Sequence, residues 1–235
     1  SFQLHYLHEI SPIASAFLNF APDHVDWHGS LEGYFEDKSK IFKSTQLAIV
    51  YNQQDSKTLE AAEAADVVQG CRAIGFTTEI PSVSSIGYVE EFLVDRAFIA
   101  QRQSSAQEIA TIEDIAKISI VSEHLRANVA AATALTRAVG VAPSVIRQAI
   151  ASFRLSPHRI QFVGEIDGVQ FVDDSKATNA HAAAASLSSF ESIVWIVGGL
   201  LKGVDPQPLM VEFGSRLSAA VVIGKDTSEL EALFA

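Results

Sequence analysis

The side chains best suited to chemistry are concentrated in one run, Asp173-Asp174-Ser175-Lys176-Ala177-Thr178-Asn179. It holds two carboxylates, one amine and two hydroxyls within seven positions. An apolar, strand-like stretch precedes it and an alanine-rich, helix-like stretch follows, which is where open α/β sheets bind ligands. A helix beginning there also aims backbone N–H groups at an anion. Upstream, Pro157-His158-Arg159 adds an imidazole and a guanidinium. A structural loop seldom needs that variety, so the two runs predict a functional site.

Four other clusters are less specific. Asn19 with Asp23-His24-Val25-Asp26 follows a strand-like stretch, and imidazole plus carboxylates can ligate a divalent cation or border a phosphate. The same residues also suit a solvated turn capping the next helix. Lys38, with Lys40 beside it, lies on a stretch of helical spacing that buries Phe35, Ile41 and Phe42; such lysines usually snorkel to the surface. His124 to Asn128 opens a long helix, where capping and packing suffice as an explanation. Gly198-Gly199-Leu200-Leu201-Lys202-Gly203-Val204-Asp205 follows an apolar strand. Its glycines permit close backbone approach and Lys202 can neutralise an anion, although an ordinary turn would read alike. Neither G-x-G-x-x-G nor G-x-x-x-x-G-K-[ST] occurs, so a dinucleotide fingerprint and a phosphate loop are both missing.

The elements that must position these groups follow from periodicity and punctuation. Apolar strands are predicted at Ile13 to Phe20, Ala48 to Tyr51, Ile193 to Val197 and Ala220 to Ile223, with two more between Ala73 and Ala100. Helices are predicted over 31–42, 56–65, 122–139, 143–152, 180–188 and 206–217. Ile160 to Ile166 and Val169 to Val172, joined by Asp167-Gly168, read as a hairpin. Alternating strands and helices predict an α/β chain with a parallel, doubly wound sheet. Phe153 to Pro157 is the linker, giving domains of 1–155 and 156–235. The chain stops inside a strand–helix unit, as a truncated domain would.

Composition narrows the class. Hydrophobic residues make up 48% and charged residues 19%, a globular balance. A formal charge of −11 argues against nucleic acid and anionic membrane as partners. No apolar run is long enough to span a bilayer, and no secretion signal is visible. Cys71 is the sole cysteine, so no intrachain disulfide forms and a reducing, cytoplasmic setting is expected.

In this order and spacing, the five clusters resemble the Mur ligases, the ATP-dependent amino-acid-adding enzymes of peptidoglycan synthesis. The likeness runs over essentially the whole chain, from partway through a central domain into a Rossmann-like C-terminal domain. Asp174-Ser175-Lys176-Ala177-Thr178-Asn179 resembles the branch that adds D-glutamate, and Ser1-Phe2-Gln3-Leu4 the tail of that family's Glu-Leu-Ser-Ser-Phe-Gln-Leu segment. The resemblance implies ligation of D-glutamate to UDP-N-acetylmuramoyl-L-alanine through an acyl phosphate, with ATP and magnesium (Mg2+). It implies that His24 binds magnesium and that Lys38 does so once carbamylated. It further implies nucleotide contacts at Asn128, Arg159 and Asp174, a phosphate contact at Lys176, with Thr178 in the same loop, and D-glutamate held by Lys202. Domain closure about a hinge near Ser156 is expected, and a monomer.

The pattern departs from the family in places. His124-Leu125 stands where His-Asn is usual, removing one adenine contact. A metal-binding glutamate would lie just before Ser1, and the N-terminal UDP-binding domain, the phosphate loop and the last D-glutamate contacts fall outside this sequence. The chain alone is therefore expected to be inactive. A folylpolyglutamate-synthase-like ligase disagrees with the run at 174–179, a nucleotide-binding oxidoreductase with the missing fingerprint, and a non-catalytic interaction protein remains as the third alternative.

Overall fold

A computed structural model describes residues 1–199, 206–225 and 227–234. The chain divides into two compact units, Ser1–Arg154 and Leu155–Ala235.

The first unit opens with helix α1 (Phe2–Tyr6), strand β1 (Ala14–Phe17) and helices α2 (Val25–His28) and α3 (Leu31–Ser39), the last continuing as a 3-10 turn at Lys40–Phe42. Next come β2 (Ala48–Asn52), α4 (Ser56–Glu63), β3 (Arg72–Phe76), β4 (Ser85–Val89), β5 (Phe92–Asp95) and β6 (Gln107–Thr111). Helices α5 (Ile112–Ala116), α6 (Glu123–Ala138) and α7 (Pro143–Ser152) complete the unit. The six strands lie in chain order. Strands β1 to β4 pair in parallel, while β4–β5 and β5–β6 are antiparallel. The sheet is thus mixed, where alternation in the sequence predicts a parallel one. Only Glu90 and Glu91 separate β4 from β5, too few residues for the crossover that a parallel return requires. The region from Ala73 to Ala100 holds three strands rather than two, and β6 was not predicted.

Neighbouring residues on a strand face opposite sides of the sheet, and both sides are covered. Ala48 and Val50 are fully buried with Ile74, Phe76 and Ile86 in the core that includes Val129, Ala130 and Ala134 of α6. Ile49 and Phe17 face the other way, into a core with Phe42 and Ala61. Helix α6 starts where the Ser122 side chain accepts the Leu125 N–H at 3.1 Å. It stops before Gly140, whose φ of 84° suits the left-handed residue that follows many helices.

The second unit begins with a hairpin of β7 (Gln161–Ile166) and β8 (Val169–Asp173). Positive φ at both Asp167 (51°) and Gly168 (81°) gives the turn that matches strand twist. Helix α8 (Ala180–Leu187), β9 (Ile193–Gly198), α9 (Gln207–Phe213), β10 (Leu217–Ile223) and α10 (Ser228–Leu233) follow. Strands β9 and β10 pair in parallel. Leu187, Leu209 and Phe213 form a small core against Ile193, Trp195 and Leu217. The helix predicted over 206–217 ends at Phe213, because Gly214 opens a 3-10 turn and Leu217 already belongs to β10. Among the described residues no helix is long and apolar enough to cross a membrane.

Candidate functional site

Strand β1 ends on a polar turn, and His24 caps α2 from the left-handed region, with φ at 50°. Non-glycine residues rarely sit there, and such strain tends to collect at functional positions. The His24 imidazole is about half exposed, with Nε2 3.6 Å from Asp23 Oδ2. Phe2 of α1 packs against its ring at 4.8 Å.

Lys38 lies one helix further on. Its ammonium rests 5.1 Å from the Phe17 ring centre and 5.3 Å from that of Tyr34. Burial pulls its pKa down, and the negative charges of Asp23 and Asp55 only partly oppose this. Asp55 is held in place as the N-cap of α4, where it accepts the Lys57 and Thr58 N–H groups, and it also takes the Phe20 N–H at 2.6 Å. A half-buried amine near two carboxylates is unlike a snorkelling surface lysine.

Beside Lys38, Asp37 is buried in a network that the sequence did not reveal. Its Oδ2 accepts Nδ1–H from His28 at 2.7 Å and from His5 at 2.8 Å, and its Oδ1 accepts the Lys40 ammonium at 2.6 Å. Burial pushes its carboxyl pKa up, but the hydrogen bonds from Lys40, His5 and His28 outweigh that and hold it at about 2. His28 was visible in the polar turn; His5 lies 32 residues from Asp37, a separation that leaves no local signal. The one available clue was an acidic residue at helical spacing from Tyr34.

The third cluster, at the start of α6, divides. Asn128 is exposed, whereas Leu125 is buried in the main core. A cavity of about 460 Å³ nearby is lined by Gln54, Thr78, Glu79, Glu90, Glu123 and Arg126 among others. Three carboxylates and one guanidinium line it.

In the second unit the runs at 157–159 and 173–179 are brought together. His158 Nδ1 meets Asp173 Oδ2 at 2.6 Å, Asp174 Oδ1 accepts the Ile160 N–H at 3.1 Å, and the His158 carbonyl accepts the Lys176 N–H at 3.1 Å. The hydrogen bond from His158 is the main reason the Asp173 carboxyl titrates near 2, with the Ser175 N–H adding to it. His158 and Ile160 both have positive φ, 68° and 44°, so strain marks this site too. Arg159, Lys176 and Thr178 are exposed. Asn179 caps α8 by accepting the Ala182 N–H at 2.8 Å. Lys202 lies outside the described residues.

Residues 1–136 match the family described as the Mur ligase middle domain, and residues 158–234 the Mur ligase glutamate ligase domain. A UDP-N-acetylmuramoylalanine–D-glutamate ligase from Leifsonia xyli is 48% identical over 239 residues, covering 100% of this chain and 46% of its own length. The chain thus spans about half the length of the curated relatives it matches. Among solved structures, MurF from Acinetobacter baumannii superposes with a TM-score of 0.65 at 20% identity, over 94% of this chain and 49% of that one. A bifunctional folylpolyglutamate synthase/dihydrofolate synthase from Yersinia pestis, complexed with AMPPNP and a manganese ion, gives 0.62 at 18% identity, over 94% and 51%. At those identities the likeness is one of fold.

Proposed function

The chain belongs to the Mur ligase family, and on that premise we propose that it serves the ATP-dependent joining of D-glutamate to UDP-N-acetylmuramoyl-L-alanine in peptidoglycan precursor synthesis. The observation that carries the choice of amino acid is the 48% identity, along the whole chain, to a relative named for that reaction. The chain's domains are taken as 1–155 and 156–235.

The reaction joins two anionic molecules, so positive charge must offset their repulsion before a carboxylate can be phosphorylated and then attacked by an amine. Magnesium, when bound, supplies part of that charge and polarises the phosphoryl oxygens. The donor set fits it. His24 offers an imidazole with Asp23 alongside, and the acidic surroundings of Lys38 favour a cation. Lowering the Lys38 pKa enlarges the fraction present as neutral amine. That amine can add to the carbon of carbon dioxide and lose a proton to water, and the resulting carbamate is an anionic oxygen ligand of the kind magnesium prefers.

Of the remaining residues, Lys176 and Arg159 bind and neutralise phosphate oxygens, with Asp174 and Asn128 on the nucleotide, Thr178 in the same loop as Lys176 and Lys202 on the D-glutamate carboxylate. The exposure of Arg159, Lys176 and Thr178 supports a ligand-facing role, and the hydrogen bonds between the two runs fix the loop that presents them.

The test is phosphate release by the complete ligase carrying this sequence, with ATP, magnesium and UDP-N-acetylmuramoyl-L-alanine. Release is expected with D-glutamate and not with L-glutamate, L-alanine or a diamino acid. Release with another acceptor would overturn the specificity and keep the ligase chemistry. No release with any acceptor, from a folded enzyme, would overturn both.

A further inference from the structure

Helices α1 and α2 have five and four residues, and neither contains a residue that is buried as a whole. Helices this short are unstable alone, so something else must fix His24, at the start of α2, relative to Lys38 on α3. Hydrophobic packing supplies part of it, through Phe2, which stacks on His28 with ring centres 5.7 Å apart and also touches Trp27. The polar contacts converge on one carboxylate. His5 comes from α1, His28 from the end of α2, and Lys40 from the turn after α3, all donating to Asp37. The His28 ring is fully buried, and the Asp37 side chain is 8% exposed. Because its Nδ1 carries the proton given to Asp37, His28 Nε2 can accept from Ser1 Oγ at 2.9 Å, adding a second tie to α1. Lys40 also reaches the His5 carbonyl at 3.4 Å.

We infer that Asp37 is a positioning residue whose carboxylate clamps α1, α2 and α3 together and thereby sets the place of His24 relative to Lys38. The inference rests on the proposed reading of those two residues as cation ligands. His5, His28 and Asp37 also offer three metal-ligand atoms within 4.8 Å of one another. The Lys40 ammonium at 2.6 Å already supplies the positive charge there, and both carboxylate oxygens are engaged, so the cluster is a clamp and not a second cation site. Outer residues that orient metal ligands typically contribute about 10–100-fold to metal affinity.

The experiment is Mn2+ binding by the complete ligase, followed by electron paramagnetic resonance, with 13C NMR of a carbamate formed from labelled carbon dioxide and a thermal melt alongside. Asp37→Asn is expected to weaken Mn2+ binding by about tenfold or more and to reduce the carbamate signal, with the melting temperature of the unit retained. Asp37→Asn binding Mn2+ as the wild type does, while His24→Ala has lost it, would overturn the clamp and leave the cation site standing. His24→Ala binding as wild type would overturn the cation site itself, and the clamp with it. If Asp37→Asn fails to fold, His5→Ala decides, since His5 is about half exposed. Several-fold weaker binding in that folded variant supports the clamp, and wild-type binding overturns it.

Discussion

In the first unit, His24 and Lys38 are held by side chains that meet across long separations, His5 with Asp37 being 32 residues apart. In the second, His158, Asp174 and Lys176 are held by hydrogen bonds between two loops on adjoining strands, most of them with a side chain on one side at least and one of them from backbone to backbone. The first cluster is half-buried and aromatic-walled; the second is exposed. Burial lets the first unit alter the chemistry of a lysine. Exposure lets the second present cations to a ligand. On the proposed reading the two units would divide the work of handling anions: one would shape a place for a metal ion, the other would supply positive charge.

The largest effect expected from breaking that division is on catalysis. Lys38→Ala in the complete ligase should lower the phosphate-release rate by about 10²–10³, the usual loss when one preorganised charge is removed. Activity close to wild type would mean that the buried amine has no metal-binding role, and the contrast between the units would lose its chemical meaning.

The next effect is on the scaffold. Asp95 is fully buried and accepts Arg137 Nε at 2.8 Å, along with the Ala97 and Phe98 N–H groups. Arg137→Met leaves that carboxylate without its counter-charge, at a cost of about 3–5 kcal/mol, readable by urea denaturation. A loss below about 1 kcal/mol would place the pair with surface ion pairs, and the first unit would be no more firmly anchored than the second.

This contrast also explains what the sequence could disclose. The run at 173–179 and its partners at 157–159 were legible because their groups are contiguous, and strand-end chemistry is local. Most helices and the Asp167-Gly168 hairpin were legible for the same reason. The Asp37–His5 contact was not, since it joins residues 32 apart and leaves no spacing to read; within the clamp the Asp37–Lys40 pair, three residues apart, is local. Strand β5 was obscured because its antiparallel return from β4 needs only a two-residue link. By spacing alone Lys38 reads as a surface lysine, whereas its ammonium lies against the rings of Phe17 and Tyr34; the role proposed for it rests on the family resemblance.

Acid sharpens the comparison further. Asp114 in the first unit is 9% exposed and bound by Lys117 at 3.0 Å and Arg147 at 2.7 Å. Burial raises its carboxyl pKa, but the hydrogen bonds from Lys117 and the Thr111 N–H and the charge of Arg147 overcome this and leave it at about 2, against an ordinary 3.8. A carboxyl depressed on folding contributes stability that is present above its unfolded value and lost as pH falls through the folded one. The first unit should therefore lose stability between about pH 4 and pH 2, and Asp114→Asn should flatten that dependence. Asp173 is depressed to a similar value, yet it is exposed and solvent-screened, so the pH dependence attributable to it should be smaller. Equal slopes from Asp114→Asn and Asp173→Asn would contradict the distinction.

The smallest effect expected is from His158→Ala. His158 is 54% exposed and Asp173 32%, so their hydrogen bond adds little to global stability, and the melting temperature should barely move. Local order should change, because the imidazole holds the Asp173 carboxylate where it accepts the Ser175 N–H at 2.9 Å. With the imidazole gone, that carboxylate is free to turn away. Amide exchange at Ser175 should quicken, while Ile160, whose N–H is held by Asp174 at 3.1 Å, should be less affected. Exchange measured residue by residue separates this from a general loosening. A fall in melting temperature as large as that of Arg137→Met would show that the exposed loops carry as much of their unit's stability as the buried network does of its own, and the contrast between the two clusters would then be one of position in the sequence and not of physics.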